Sequence, residues 1–121
     1  MDTADTAMRH WIAGAATGDW CALVALLAPA VEFHVPVSGF AGIQHGVEPA
    51  ERFFAGLTAR LRAELTVIAR LDGDGRTAFE VNVAGLLSGR PFEQRLCLVF
   101  VIADGKVREF REYLAFPSAA L

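Results

Sequence analysis

The sequence predicts an α+β fold, helices first and sheet second, and three observations carry the prediction. Apolar residues in the first half recur every three or four positions, as on helices buried along one stripe. In the second half they alternate or run together over strand-length stretches. Between those stretches stand tight-turn signals at hairpin spacing: Asp72-Gly73-Asp74-Gly75, Ser88-Gly89-Arg90 and Asp104-Gly105. At 121 residues the chain is one domain, 1–121, with no linker or internal repeat.

Each element has its own local warrant. Residues 3–17 carry Met8, Trp11, Ile12 and Ala15 on one helical stripe and stop at Gly18. Asp19 is the N-cap of a short second helix, "WCALVALLA", which Pro29 ends. The first strand is expected at 30–37, where Val31, Phe33, Val35 and Val37 alternate with Glu32, His34, Pro36 and Ser38. A loop with Gly39, Gly42 and Gly46 leads to a third helix over 48–62, with Pro49 harmless in its first turn. Its stripe is Phe53, Phe54, Leu57 and Leu61. The runs "ELTVIARL", "RTAFEVNVAGLL", "PFEQRLCLVFVI" and "KVREFREYLAF" then form an antiparallel meander.

Composition narrows the function classes. With 54% apolar and 21% charged residues, the chain is neither disordered nor a coiled coil. A net charge of −3 with scattered basic residues argues against nucleic acid. No apolar run is long enough for a membrane span, and "MDTADTAMRHW" has acids where a signal peptide has Lys or Arg. The expectation is a soluble cytoplasmic protein. Cys21 and Cys97 lie in apolar runs and read as reduced core thiols. Without a CxxC or Cys/His cluster, no metal site is expected. "RLCLVFVI" is apolar on both faces, and three helices cover only one side of a sheet this long. A homodimer through the outer sheet face is therefore expected.

Four stretches taken in order carry a resemblance: "GDW" after the first helix, "APAVEFHVP" into the first strand, "AGIQHG" before the third helix and "DGKVREFREY" at the last hairpin. From Met8 to Phe116 the chain resembles the nuclear transport factor 2-like superfamily, in its SnoaL-like and ketosteroid-isomerase-like branch. The resemblance implies a cone-shaped α+β barrel, a curved antiparallel sheet wrapped around a pocket and closed by three helices of the N-terminal half.

It also implies candidate site residues. Ketosteroid-isomerase-like proteins place a general-base aspartate just before a proline on the first strand, the neighbourhood of His34 and Pro36 here. Their oxyanion-donating tyrosine falls on Trp11, and the partner aspartate of the penultimate strand falls near Gln94. The chain is similar as well to limonene-epoxide-hydrolase-like proteins, whose last-strand motif matches Arg111-Glu112-Tyr113. Glu112 thus stands where that family has a catalytic carboxylate, and the water-positioning residues of its first strand fall on Glu32 and His34. Strand parity puts Glu112 inward with Phe110 and Leu114. The implied function is general acid/base catalysis without metal or cofactor on a small hydrophobic molecule: isomerisation, cyclisation, dehydration or hydrolysis. His34 and Glu112 are the expected catalytic residues, with Trp11, Glu32, Phe54, Gln94 and Phe110 binding the substrate. The alternative is a non-catalytic small-ligand-binding or dimeric assembly module of the same fold.

Overall fold

The computed structural model describes residues 2–115; Met1 and residues 116–121, and with them Phe116 at the far end of the expected resemblance, lie outside the described residues. In chain order the elements are α1 (Thr3–Thr17), α2 (Cys21–Leu26), β1 (Leu27–His34), β2 (Gln44–His45), α3 (Val47–Arg60), β3 (Leu61–Gly73), β4 (Arg76–Leu87), β5 (Arg90–Ala103) and β6 (Lys106–Leu114). The six strands make one sheet in the order β2-β1-β6-β5-β4-β3.

Local chemistry sets the ends of these elements. The Asp2 carboxylate accepts from the Asp5 N–H at 2.9 Å and starts α1. Gly18, at φ 83°, ends it in the left-handed conformation that glycine adopts without strain. Arg70 of β3 then pins the start of α1 to the sheet, donating to Asp5 at 2.7 Å, Asp2 at 2.7 Å and Asp72 at 3.0 Å. These bonds hold the Asp2 carboxyl well below the usual carboxylate range. Each β-hairpin turns through two residues at positive φ: Asp74-Gly75, Ser88-Gly89 and Asp104-Gly105. That is the twist a two-residue hairpin needs.

The structure corrects the expected elements in several places. The third helix spans Val47–Arg60 rather than 48–62, so Leu61 opens β3 instead of closing the helical stripe, and β1 ends at His34 rather than at residue 37. The second helix stops at Leu26, not at residue 28, because the residue before a proline is driven out of the helical region. The first strand therefore begins at Leu27 and contains Pro29. Its register against β6 breaks between Leu27 and Glu32, so the missing N–H of Pro29 costs no ladder bond. Within the expected glycine loop, Gln44 and His45 form a short strand against Phe33 and Glu32. The sheet is mixed rather than wholly antiparallel, since β1 runs parallel to β6, and it is open, with β2 and β3 as edges.

One face of the sheet packs on the helices. Val31 and Phe33 of β1, Phe79, Val81 and Val83 of β4, Leu96, Leu98 and Phe100 of β5, and Phe110 of β6 are all buried there. The ring of Trp11 meets Trp20, Phe54, Phe100 and Phe110 edge-on, with centroids 5.4–6.1 Å away. Among the described residues no helix covers the other face, and Leu71, Leu86 and Tyr113 are exposed there. The two cysteines depart from the core reading. Cys21 is exposed and Cys97 is partly buried on the uncovered face, where it pairs with Glu80 and Tyr113.

Curvature is written into one glycine. Gly85 lies mid-strand on β4 opposite Ala63, and a Cβ there would overlap the carbonyl oxygen of Arg62 and the backbone of Ala63. Nothing but hydrogen fits where β3 and β4 curl over one another. Gly85→Ala should therefore destabilise the fold by on the order of 3 kcal/mol, the overpacking range. Gly73→Ala, which meets open space, should change stability by less than about 0.5 kcal/mol. Thermal melting of the two variants checks the pair.

Candidate functional site

Parity decides which side chains can share a site. Phe33 of β1 pairs with Phe110 of β6, and their rings stack at 4.8 Å on the inner face. Glu32 and His34, one residue to either side of Phe33, must then point outward. His34 pairs with Arg111 and lies 6.0 Å, ring to ring, from Tyr113 on the outer face. Glu32 is out there too, its carboxylate 3.6 Å from the imidazole of His45. On β6, by the same alternation, Glu112 faces inward with Phe110, opposite Leu98. The expected catalytic pair is thus split by the sheet. The polar residues of β1 line the outer surface because Val31 and Phe33 are the ones packed into the helix-covered core.

Glu112 opens onto a cavity of about 30 Å³. Trp11 walls it from α1, and Leu57 from the end of α3. Leu65, Val83 and Leu96 form the sheet side, and Phe92 and Leu114 lie nearest solvent. Every one of these neighbours is apolar apart from the single N–H of the Trp11 indole. No described residue pairs with the Glu112 carboxyl, and none accepts the Trp11 N–H. Burial in this setting pushes the Glu112 carboxyl up to about 7, because the charged form loses its hydration and gains no partner.

The remaining expected residues divide by depth. Phe54 and Phe110 are buried in the aromatic cluster behind Trp11, and neither lines the cavity. Phe54 instead stacks on Trp20 at 4.9 Å. Gln94 is buried on the inner face between Phe92 and Leu96, where its side-chain oxygen accepts from the Arg95 N–H at 3.1 Å. Sequence reasoning missed the leucine wall and Phe92. Their pattern is that of ordinary core, and only the curl of the sheet turns them toward one space.

Among the described residues, no three His, Cys, Asp or Glu side chains come together as a metal site. No helix among them is long and apolar enough to cross a membrane. Chemically, then, the site is one carboxyl that titrates near neutrality, one N–H donor and an apolar wall.

Comparison with known proteins agrees with this architecture. Residues 8–110 match the model of the SnoaL-like domain. A search of curated proteins returned no match. Among solved structures, an NTF2-like protein from Anabaena variabilis superposes with a TM-score of 0.86 at 24% identity, over 95% of this chain and 88% of that one. A protein of ketosteroid isomerase-like fold from Catenulispora acidiphila, in complex with trimethylamine, gives 0.73 at 16% identity, over 88% and 83%. An LEH-like epoxide hydrolase from M. tuberculosis gives 0.72 at 17% identity, over 93% and 82%. With the family model covering most of the chain, the chain belongs to the SnoaL-like domain family, and its fold is NTF2-like.

Proposed function

We propose that the protein is a small-molecule enzyme in which Glu112 takes a proton from a neutral substrate and returns it at another position. One observation carries the reading: an unpaired carboxyl, pushed up to about 7, is the sole ionisable group facing the cavity among the described residues. A group poised near working pH is effective as both base and acid. Hydrolysis needs one group to activate water and commonly a second to protonate the leaving group. A lone carboxyl is better suited to isomerisation or cyclisation, where the proton goes out and comes back. The Trp11 N–H would steady the oxygen on which charge develops, and the leucine wall would exclude water. His34 and Glu32, on the other face, take no part.

A second reading, a non-catalytic module for small ligands, draws support from the smallness of the cavity and from the trimethylamine held by one structural neighbour. The two separate in one experiment. Small enolisable ketones are incubated with the protein in D2O, and deuterium uptake is followed by NMR. The enzyme reading expects protein-dependent exchange whose kcat/KM rises with pH and levels off above about 7, as the Glu112 base form fills. Glu112→Gln should lower it by about 10²-fold or more, and His34→Ala should leave it unchanged. Binding without exchange across the panel would favour the module.

The raised carboxyl also has a consequence for stability. Below the unfolded-state value of 4.5 both states hold the proton, and Glu112 has no pH-dependent effect. Between 4.5 and about 7 the unfolded chain ionises first, so stability falls as pH rises. The full loss is on the order of 3 kcal/mol above that window. Glu112→Gln should therefore raise Tm relative to the wild type at pH 8 and lose that advantage at pH 4.5. A melting series across that range would sink the assignment if the difference between the two proteins stayed flat.

For the quaternary state, we propose a homodimer through the uncovered sheet face. Leu71, Leu86 and Tyr113 are exposed there, and Val99 lies mid-face on β5. The unpaired thiols are in keeping with a reducing, cytoplasmic setting. Light scattering should give twice the chain mass, and Val99→Arg should halve it.

A further inference from the structure

The cavity beside Glu112 is too small for the chemistry its carboxyl suits. About 30 Å³ is room for two or so waters, whereas apolar cavities that take up benzene measure about 150 Å³. An organic ligand enters only if part of the wall moves, and the wall is not equally firm all round. Trp11, Leu57, Leu65, Val83, Leu87 and Leu96 are all nearly solvent-inaccessible. Phe92 and Leu114 are only partly buried.

Two further observations single out Phe92. Its cross-strand neighbour on β4 is Gly85, which has no side chain to clasp the ring. In antiparallel pairs that contact is what ordinarily fixes a side chain on the sheet face. Phe33, Phe40, Phe53, Phe54, Phe79, Phe100 and Phe110 each lie against another aromatic ring. Phe92 is the one described phenylalanine with no ring partner. It stands two residues past Arg90, where the β4–β5 turn delivers the chain to β5. The glycine that lets the sheet curl around the cavity is thus the residue that leaves this ring loose at its mouth.

We infer that Phe92 is the specificity-determining residue of the cavity. Its ring turns aside to admit a ligand, and its bulk fixes the largest ligand that reaches Glu112. The inference rests on the reading of this cavity as the ligand site, not on the proton transfer assigned to it.

Benzene, which has no proton to exchange with Glu112, separates the two. Wild type, Phe92→Ala, Phe92→Val and Phe92→Trp are titrated with benzene, and binding is followed by Tm and by ring-proton NMR. The alanine and valine variants should bind at least about 10-fold more tightly than wild type. At ten times Kd their Tm should rise by about 6 °C. Phe92→Trp should weaken binding below the wild-type level. Phe40→Ala removes an equally half-buried ring that packs on Phe33 and Phe53 away from the cavity, and it should gain nothing. Valine keeps the strand propensity of the site if alanine does not fold. Equal affinity in wild type and both small variants overturns the inference, as does an equal gain in Phe40→Ala. Either result leaves the role of Glu112 standing, because loss of deuterium exchange in Glu112→Gln is read on the wild-type wall.

Discussion

Trp11 is the packing constraint on which the rest of the structure depends. Its indole meets Trp20 at the N-cap of α2 and rings from α3, β5 and β6 at once, so one residue of α1 fixes how all these elements sit over the sheet. Edge-to-face contacts of this kind add to the area they bury. The plug is also what makes the cavity small. With Trp11, Phe54, Phe110 and Phe33 filling the inner face of the sheet, the space beside Glu112 lies where β3 begins, β4 ends and β6 ends. Glu112 lies at the boundary between plug and space. A polar group one step deeper would meet only rings, and one step nearer solvent it would keep its water and its ordinary acidity.

The same logic explains why a carboxyl is tolerated there. Leaving a charge unpaired in an apolar space is costly, and a carboxyl escapes most of that cost by holding its proton. The folded protein therefore sacrifices stability above neutrality at this one position, while the ion-paired carboxylates Asp2 and Asp72 act in the opposite sense at the start of α1. A residue that weakens the fold at working pH, in a strand otherwise apolar on that face, needs a reason other than packing. Proton exchange with a bound molecule supplies one.

How much was legible in the sequence can be argued residue by residue. The stop of α1 and the turns were legible because their signals are local: Gly18 ends α1, and each hairpin has a residue able to take positive φ followed by glycine. The expected N-cap of α2, Asp19, gives way to Trp20, although the Asp19 carboxylate still accepts from the Cys21 N–H at 3.0 Å. Glu112 was legible because Phe110 and Leu114 flank it with unambiguous parity. His34 was not, although its own parity was just as clear. Alternation assigns Glu32 and His34 to one face and Val31, Phe33 and Val35 to the other. It does not say which of those faces the helices cover. The family resemblance carried the polar face into the pocket, and the stacking of Phe33 on Phe110 puts it outside. The short strand at Gln44 and His45 escaped for a related reason. Two residues carry no period, and their pairing with Glu32 and Phe33 is purely tertiary.

Placing His34 outside changes what the outer face is for. With Arg111, Tyr113, Glu32 and His45 it forms a polar margin along β1 and β6, beside the more apolar strip of Val99, Ala78 and Leu71 on β5, β4 and β3. A self-associating sheet face gains from that division: an apolar centre supplies the driving force, and a charged rim fixes register and rejects other edges. The two faces of this sheet therefore answer to different demands. Inside, a single ionisable group is set among rings and leucines so that its proton is loosely held. Outside, several are set together in the open, on the opposite side of the sheet from the cavity that Glu112 faces.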